Sequence, residues 1–142
     1  RMRVLRVRRR LRPLLRLRQI MDRRALLAYA ADTFGTQPEY PWEDEPGFAV
    51  LRHRENRKWY AVIMNVQAKR LGLDGGEIDI VNLKCDPAVS AMACDGRSVL
   101  PAYHMNKTHW ISVVLGAAPD DELLTLLNMS YELTAYKPKA RK

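Results

Sequence analysis

After the first twenty residues, apolar side chains recur every three or four positions, which is the spacing of one face of an α-helix. This pattern begins after Asp22, a residue type that caps helix N-termini, and it ends before Gly35, which commonly terminates helices. The sequence therefore predicts a helix from Asp22 to about Thr33. Its expected apolar stripe consists of Leu26, Leu27, Ala30 and Phe34.

The next segment changes from helical spacing to the alternation of strands. Thr36 to Gly47 contains three prolines, so it is predicted to be an extended loop. Phe48 to Arg54 and Lys58 to Val66 are predicted to form a hairpin around Glu55-Asn56. Both faces of the second strand are apolar, so it is expected in the interior of the sheet. One face should hold Trp59, Ala61 and Ile63, and the other Tyr60, Val62, Met64 and Val66.

A third strand, a helix and a fourth strand are predicted in the following forty residues. Glu77 to Lys84 is a strand pattern whose alternation slips between Ile80 and Val81, as a β-bulge would cause. Asp86 followed by proline predicts a helix that runs to about Asp95. A loop from Arg97 to Thr108 and a strand from His109 to Leu115 come next.

The last predicted helix opens at Pro119 and Asp120, where consecutive acidic residues suit its positive end. Its expected buried stripe is Leu123, Leu124, Leu127 and Tyr131. The resulting order is α-β-β-β-α-β-α, with strands linked mostly by hairpins. This order indicates an α+β fold with a mainly antiparallel sheet and helices packed on one of its faces.

The formal net charge of +8 is concentrated at the two ends of the chain. Residues 1–20 contain nine arginines and no acid, and the last six residues add four basic side chains. Residues 21–136 carry a net charge of −5. Bulk charge therefore gives no argument for phosphate binding by the folded body.

Domain organisation follows from this charge distribution. Residues 1–20 are most simply an extension that is non-native or disordered, because a well-formed helix start follows it. An arginine-rich arm that contacts phosphates or anionic lipid is the alternative interpretation. The expected organisation is thus this extension, one domain over residues 21–137, and a basic tail over residues 138–142.

Composition predicts a monomeric cytoplasmic domain that buries its own core. At 142 residues and 47% hydrophobic, the chain needs no metal or disulfide to support one core. Its two cysteines, Cys85 and Cys94, do not make a disulfide scaffold, which favours a reducing compartment. No segment approaches the roughly 18 consecutive apolar residues of a membrane-spanning helix, so no membrane partner is expected.

The densest group of polar side chains lies in residues 101–110. Its run Tyr103-His104-Met105-Asn106-Lys107-Thr108-His109-Trp110 resembles the signature of the MmcQ/YjbR family of small bacterial proteins. The resemblance covers essentially residues 21–136. Other segments match the family's order and spacing, namely Glu39-Tyr40-Pro41-Trp42, Lys58-Trp59-Tyr60-Ala61, Asn82-Leu83-Lys84-Cys85-Asp86-Pro87 and Ser130-Tyr131.

This resemblance implies a frataxin-type (CyaY-like) fold and DNA binding through a "double wing" of helix and hairpins, without catalytic residues. A non-enzymatic module is therefore expected, with double-stranded DNA as its partner and no cofactor. In such a contact, lysine supplies charge, asparagine a two-sided amide, and tyrosine or tryptophan a stacking plane. The candidate contact residues are Lys84, Arg97, Tyr103, His104, Asn106, Lys107, His109 and Trp110.

Several alternatives stay open at this point. Asn106 could instead hold the loop by bonding its own backbone, and Trp110 could belong to the core. The loop from Tyr103 to Trp110 could also line a pocket of a small-ligand- or protein-binding adaptor.

A metal site is not expected, because His104 and His109 lack a metal-binding spacing. Cys85 precedes a helix N-terminus, which lowers a thiol pKa, but no histidine partner is evident in the spacing. A buried, inert thiol is the simpler interpretation.

Overall fold

The computed structural model describes residues 20–138, and the predictions for the rest of the arginine-rich extension and of the basic tail lie outside this range. Three α-helices, five strands and a short 3₁₀ helix are present in it. In chain order they are α1 (Arg23–Phe34), β1 (Ala49–Arg52), β2 (Trp59–Gln67), the 3₁₀ helix (Ala68–Leu71), β3 (Glu77–Lys84), α2 (Pro87–Ala93), β4 (Val99–Pro101), β5 (Trp110–Val114) and α3 (Asp120–Thr134).

The strands form one antiparallel sheet in the order β1-β2-β3-β5-β4, which confirms the predicted α+β class. Strand β4 is a correction, because the sequence predicted a loop from Arg97 to Thr108. It has three residues, lies at the edge of the sheet and ends in Pro101. So short a strand shows no alternation, and proline is tolerated at a sheet edge because its missing N–H is not needed there.

The predicted helix termini are formed by the residues that the sequence indicated. The Asp22 carboxylate accepts a hydrogen bond from the Ala25 N–H at 2.9 Å, and Gly35 ends α1 with a φ of 66°. At α2, the Asp86 carboxylate accepts from the Ala88 N–H at 2.9 Å, and Pro87 is the first helical residue. Within the described range no helix is long and apolar enough to cross a membrane.

All three helices pack on one face of the sheet. Leu26 and Ala30 of α1 and several leucines of α3 meet Ala61, Ile63 and Leu83 of the central strands. The buried stripe of α3 differs from the prediction: Leu126 is buried, whereas Leu124 and Tyr131 are only partly buried. Tyr131 instead stacks on Phe34, with ring centroids 3.9 Å apart, at the end of this face.

The opposite face of the sheet is covered by loops. Its buried strand residues are Val50, Val62, Met64, Val66, Ile80 and Val114, with Leu100 of the edge strand. Trp42 and Phe48 from the loop before β1, and Tyr103 and Met105 from the loop before β5, pack against them. The sheet therefore separates two apolar clusters, which explains why β2 and β3 are apolar on both faces.

A β-bulge lies in the first hairpin, not in the third strand. Leu51 is opposite Ala61 and Arg52 is opposite Trp59, so Tyr60 is the extra residue. Tyr60 consequently joins Ala61 on the helix-covered face, and Trp59 faces the loops. The predicted faces of these two residues were wrong. Pairing between β2 and β3 is regular through Ile80 and Val81, which are both buried because they face different clusters.

Candidate functional site

The loop that precedes β5 and the tip of the first hairpin project from the same end of the sheet. Antiparallel pairing brings the end of β1, the start of β2, the end of β3 and the start of β5 together there. We call this end, with residues 53–58 and 102–109, the hairpin end. Trp59 and Trp110 begin strands separated by two strand spacings, which is about 10 Å.

Buried hydrogen bonds between neighbouring strands anchor the start of the loop. Asn82 of β3 and Ser112 of β5 are opposite each other and fully buried. The Asn82 Nδ2 donates to the Tyr103 carbonyl at 2.7 Å, the Ser112 hydroxyl donates to Asn82 Oδ1 at 2.5 Å, and the Tyr103 N–H donates to Ser112 Oγ at 2.8 Å. Each polar group in this closed set is satisfied, so the backbone at Tyr103 is held firmly.

Within the loop, two of the predicted contact residues also hold the backbone. Asn106 Oδ1 accepts from the N–H groups of Thr108 at 2.8 Å and His109 at 3.2 Å, as the structural alternative for this asparagine predicted. Lys107 Nζ donates to the Ala102 carbonyl at 2.8 Å. Both side chains are nevertheless exposed, as are His104 and His109. The loop therefore presents its polar groups to solvent while it restrains itself.

Lys84 and Trp110 lie side by side on the loop-covered face. They are paired in the register of β3 and β5, so their side chains project from the same face of the sheet. Both are partly exposed, and the Lys84 ammonium has no carboxylate partner among residues 20–138. This pair combines a positive charge with an aromatic plane, the combination that single-stranded nucleic-acid contacts use.

Arg97 lies away from these residues. It precedes β4 at the end of the sheet where Val114 closes β5, and Trp110 begins β5 at the opposite end. The Asp95 carboxylate holds this turn by accepting hydrogen bonds from the Ser98 hydroxyl and from the backbone N–H groups of Arg97, Ser98 and Val99. These hydrogen bonds, that of the Ser98 hydroxyl first, lower the pKa of Asp95. Four residues of strand separate the two ends, or about 13 Å. The structure thus does not bring Arg97 into the candidate site.

Several cations at the hairpin end have no carboxylate partner among the described residues. Among the described residues, Arg54 and Lys58 at the tip and Lys84 beside it form no ion pair. Arg52 and Arg57 are engaged by Glu39, whose oxygens lie 2.7 and 3.5 Å from them. The hydrogen bond from Arg52 is the main cause of a lowered pKa at Glu39.

The opposite end of the sheet carries several acidic side chains together with Lys69, Arg70 and Arg97. Asp120, Asp121 and Glu122 form the first turn of α3, and Asp74 and Glu77 flank the turn before β3. The net negative charge of the body therefore does not prevent individual cations from standing without an ion pair at the hairpin end. Composition could not reveal which charges share an end, because that depends on the strand register.

Two recesses lie beside the loop on the same face. The first has a volume of 230 Å³ and is walled by Trp42, Phe48 and Trp59, with His104 and Met105 from the loop. The second, of 260 Å³, shares Phe48 and His104 with it and is also lined by Tyr103. The adaptor hypothesis expected Tyr103 and Trp110 as pocket walls, and Trp110 lines neither recess.

Trp42, Phe48 and Trp59 were not among the candidate site residues. Two of them occur in segments that carry the family resemblance, residues 39–42 and 58–61, and this was the signal available in the sequence. Their association depends on a loop folding back over the sheet, which no local pattern predicts. His104 at the rim has a φ of 58°, in the left-handed region that histidine adopts more readily than most residues.

Neither thiol has the environment of a nucleophile. Burial raises the pKa of Cys85 and of Cys94, which disfavours the thiolate, and both are free thiols. Within residues 20–138 no group of three or more histidine, cysteine, aspartate and glutamate side chains is arranged to hold a metal ion.

The sequence is similar to those of known bacterial proteins. A family model described as YjbR matches residues 31–133. The uncharacterized protein YyaQ of Bacillus subtilis is 48% identical over 117 residues, covering 81% of this chain and 99% of its own length. The uncharacterized protein YbdF of Escherichia coli O157:H7 is 43% identical over 58 residues, covering 39% of this chain and 48% of its own.

Solved structures show the same arrangement. A crystal structure of a Pseudomonas syringae protein is 38% identical with a TM-score of 0.78, over 81% of this chain and 100% of that one. A Deinococcus radiodurans protein at 24% identity has a TM-score of 0.61, over 80% of this chain and 78% of its own, and shows the fold alone.

Proposed function

Since the chain belongs to the YjbR family, we propose that it is a non-enzymatic module that binds double-stranded DNA through the hairpin end. The residues of the 103–110 loop and of the first hairpin supply the contact surface. DNA binding is what the family resemblance implies, and the exposed cations of the hairpin end support it.

The observation that carries this proposal is a set of cations without an ion pair beside Trp110 at the hairpin end. Arg54, Lys58 and Lys84 have no carboxylate partner in the described part of the chain, and the exposed Lys107 is bonded only to a carbonyl. A cation without a partner can neutralise a phosphate and release counterions, whereas one held by a carboxylate must first break that pair. The proposal therefore does not need a positive net charge.

The spacing of the two projections also suits a duplex. The hairpin tip and the loop arise from strands about 10 Å apart. This is similar to the width of the major groove of B-DNA, about 12 Å. Each projection can thus contact the phosphates on one side of a groove, and Lys84 of the intervening strand β3 lies between them beside Trp110. Contacts of this kind position the protein without selecting a base sequence.

A salt titration on duplex DNA tests the proposal. We expect the affinity of the full chain to fall steeply as salt rises, with a slope of about −0.9 per phosphate neutralised. Lys84→Glu should weaken binding and reduce that slope by about one or more. Lys69→Glu is the matched control, because Lys69 is an exposed lysine near the other end of β2.

Residues 1–20 require a separate comparison, because their nine arginines can bind phosphates by themselves. A chain that begins at Met21 should retain binding at low salt and the difference between the two lysine variants. Complete loss of binding in that chain, or equal effects of the two variants, would contradict a DNA site at the hairpin end.

A further inference from the structure

A recess with three aromatic walls lies on the loop-covered face, and we propose that it binds an alkylated ammonium ion of the choline type. Trp42 meets Trp59 with ring centroids 5.6 Å apart and an interplanar angle of 81°. Trp42 also meets Phe48 at 6.0 Å and 79°. Rings set at right angles form the corner of a box, in which a cation within about 6 Å of two centroids is attracted by both π-systems.

Charge in the recess has the sign that a cation requires. Asp44 and Glu45 line it, and neither lysine nor arginine is among its described lining residues. Glu45 also interacts electrostatically with Arg70, whereas Asp44 forms no ion pair with any described residue. A carboxylate at the edge of an aromatic box adds Coulomb attraction to the cation–π attraction. The same carboxylates would repel a phosphate, so this site is distinct from the proposed DNA surface.

Apolar side chains complete the recess. Val62 and Met64 of β2 lie behind the rings, and Met105 of the loop closes one side. These surfaces suit methyl groups, and a bare, strongly hydrated ammonium would lose water there without replacement hydrogen bonds. The volume of 230 Å³ exceeds that of a cavity of about 150 Å³ known to admit benzene, a molecule comparable in bulk to a trimethylammonium group.

The position of His104 makes the recess continuous with the loop. Its side chain lines the recess, and its backbone follows Tyr103, whose carbonyl and N–H are fixed by Asn82 and Ser112. The walls are therefore contributed by strand β2 and by two loops, one of which is anchored in the sheet before any ligand arrives. A preformed site of this kind loses little conformational entropy on binding.

Titration of the full chain with choline tests the proposal, with tryptophan fluorescence and NMR chemical shifts as readouts. The comparison ligand is 3,3-dimethyl-1-butanol, in which a carbon replaces the nitrogen and the charge is lost. We expect choline to bind at least about tenfold more tightly than this isostere, because cation–π attraction in a partly desolvated box is substantial. Equal affinity, or no saturable change with choline, would overturn the proposal.

Variants locate the binding. Asp44→Asn should weaken choline binding about threefold or more without changing the fold, since the side chain keeps its size. Glu43→Gln is the matched control, because it removes a charge from the same acidic run but does not line the recess. Trp59→Leu should abolish the preference for choline over its isostere, provided that circular dichroism shows a folded chain. An equal response to Asp44→Asn and Glu43→Gln would contradict this location.

Two sources can supply the same chemistry, a free metabolite or a side chain of another protein. A short peptide that contains Nε-trimethyl-lysine, compared with the unmethylated peptide, separates them. Tighter binding of the methylated peptide than of choline would identify a protein-borne group, and weaker binding would identify a free ligand. Absence of any preference for methylated over unmethylated lysine would count against an alkylated ammonium site.

Discussion

The two faces of the sheet are both apolar but are covered in different ways. On the helix-covered face, regular elements bury Leu26, Leu123 and Leu127 completely, and their spacing repeats along each helix. On the loop-covered face, Trp42, Phe48 and Met105 are only partly buried and come from segments without periodicity. The two recesses beside the 102–109 loop and most of the predicted contact residues belong to the second face.

This difference places the main stabilising core on one face of the sheet and the proposed binding recess on the other. Between the helices and the sheet, side chains interdigitate at close to crystalline density, which favours stability. Loops cover a sheet less completely, and their backbone groups need partners such as Asn82 and Ser112. The loop-covered face can thus present aromatic and polar groups to solvent without loss of the main core.

The largest expected effect tests the stabilising role of the helix-covered face. Leu127→Ala should lower the free energy of unfolding by about 2–5 kcal/mol, because it removes a fully buried side chain and leaves a cavity. Met105→Ala on the loop-covered face should cost clearly less, since Met105 is only partly buried. Urea denaturation measures both. Equal losses of unfolding free energy would show that both faces contribute alike to stability, and the contrast between them would be wrong.

A smaller effect concerns the buried histidine under the end of α3. His53 Nε2 lies 3.0 Å from the Tyr131 carbonyl and 2.9 Å from Thr134 Oγ1. Burial lowers the pKa of His53, with the Tyr131 hydrogen bond opposing that shift. The unfolded chain therefore binds a proton more readily, and stability should fall as pH drops below about 6.5, the value of an unperturbed histidine, through the lowered pKa.

Substitution of this histidine should flatten that dependence. His53→Gln is expected to cost about 1 kcal/mol at pH 7.5, from the lost hydrogen bond, and to reduce the loss of stability between pH 7.5 and 5. The unsubstituted chain is the comparison, since it keeps the buried imidazole. Urea denaturation at several pH values compares them. A profile that His53→Gln leaves intact would show that another group titrates.

Most of the helix-covered face could be predicted from the sequence, because its signals are local. Asp22, Gly35 and Asp86 marked helix ends by their capping chemistry, and Glu77 to Lys84 was predicted with the bounds that the structure shows. Strand β4 was missed because three residues carry no period. The extra residue at Tyr60 was missed because a bulge depends on the pairing of two strands.

Prediction of the candidate site was less complete, for a related reason. The Tyr103–Trp110 run was recognisable by its own residues, and Lys84 does lie beside Trp110. Arg97 is close to this run in sequence but belongs to the other end of the sheet. Trp42 and Trp59 are seventeen residues apart in the chain and meet only because the proline-rich loop folds over β2. Residues that meet only through tertiary folding have no characteristic spacing by which a single sequence could reveal the contact.

The smallest expected effect adjusts the charge at the hairpin end without removing a cation. Glu39 holds Arg52 through two hydrogen bonds of 2.9 and 2.7 Å and lies 3.5 Å from Arg57. Glu39→Gln should release both arginines toward phosphates and raise duplex affinity about twofold to fivefold at low salt, the scale of one exposed ion pair. Glu43→Gln makes the same change of net charge in the loop beside the aromatic recess. A greater gain from Glu39→Gln would show that position matters, because the two variants have the same total charge. Equal gains would mean that duplex affinity depends only on the overall charge of the chain, which would contradict the hairpin end as the contact surface.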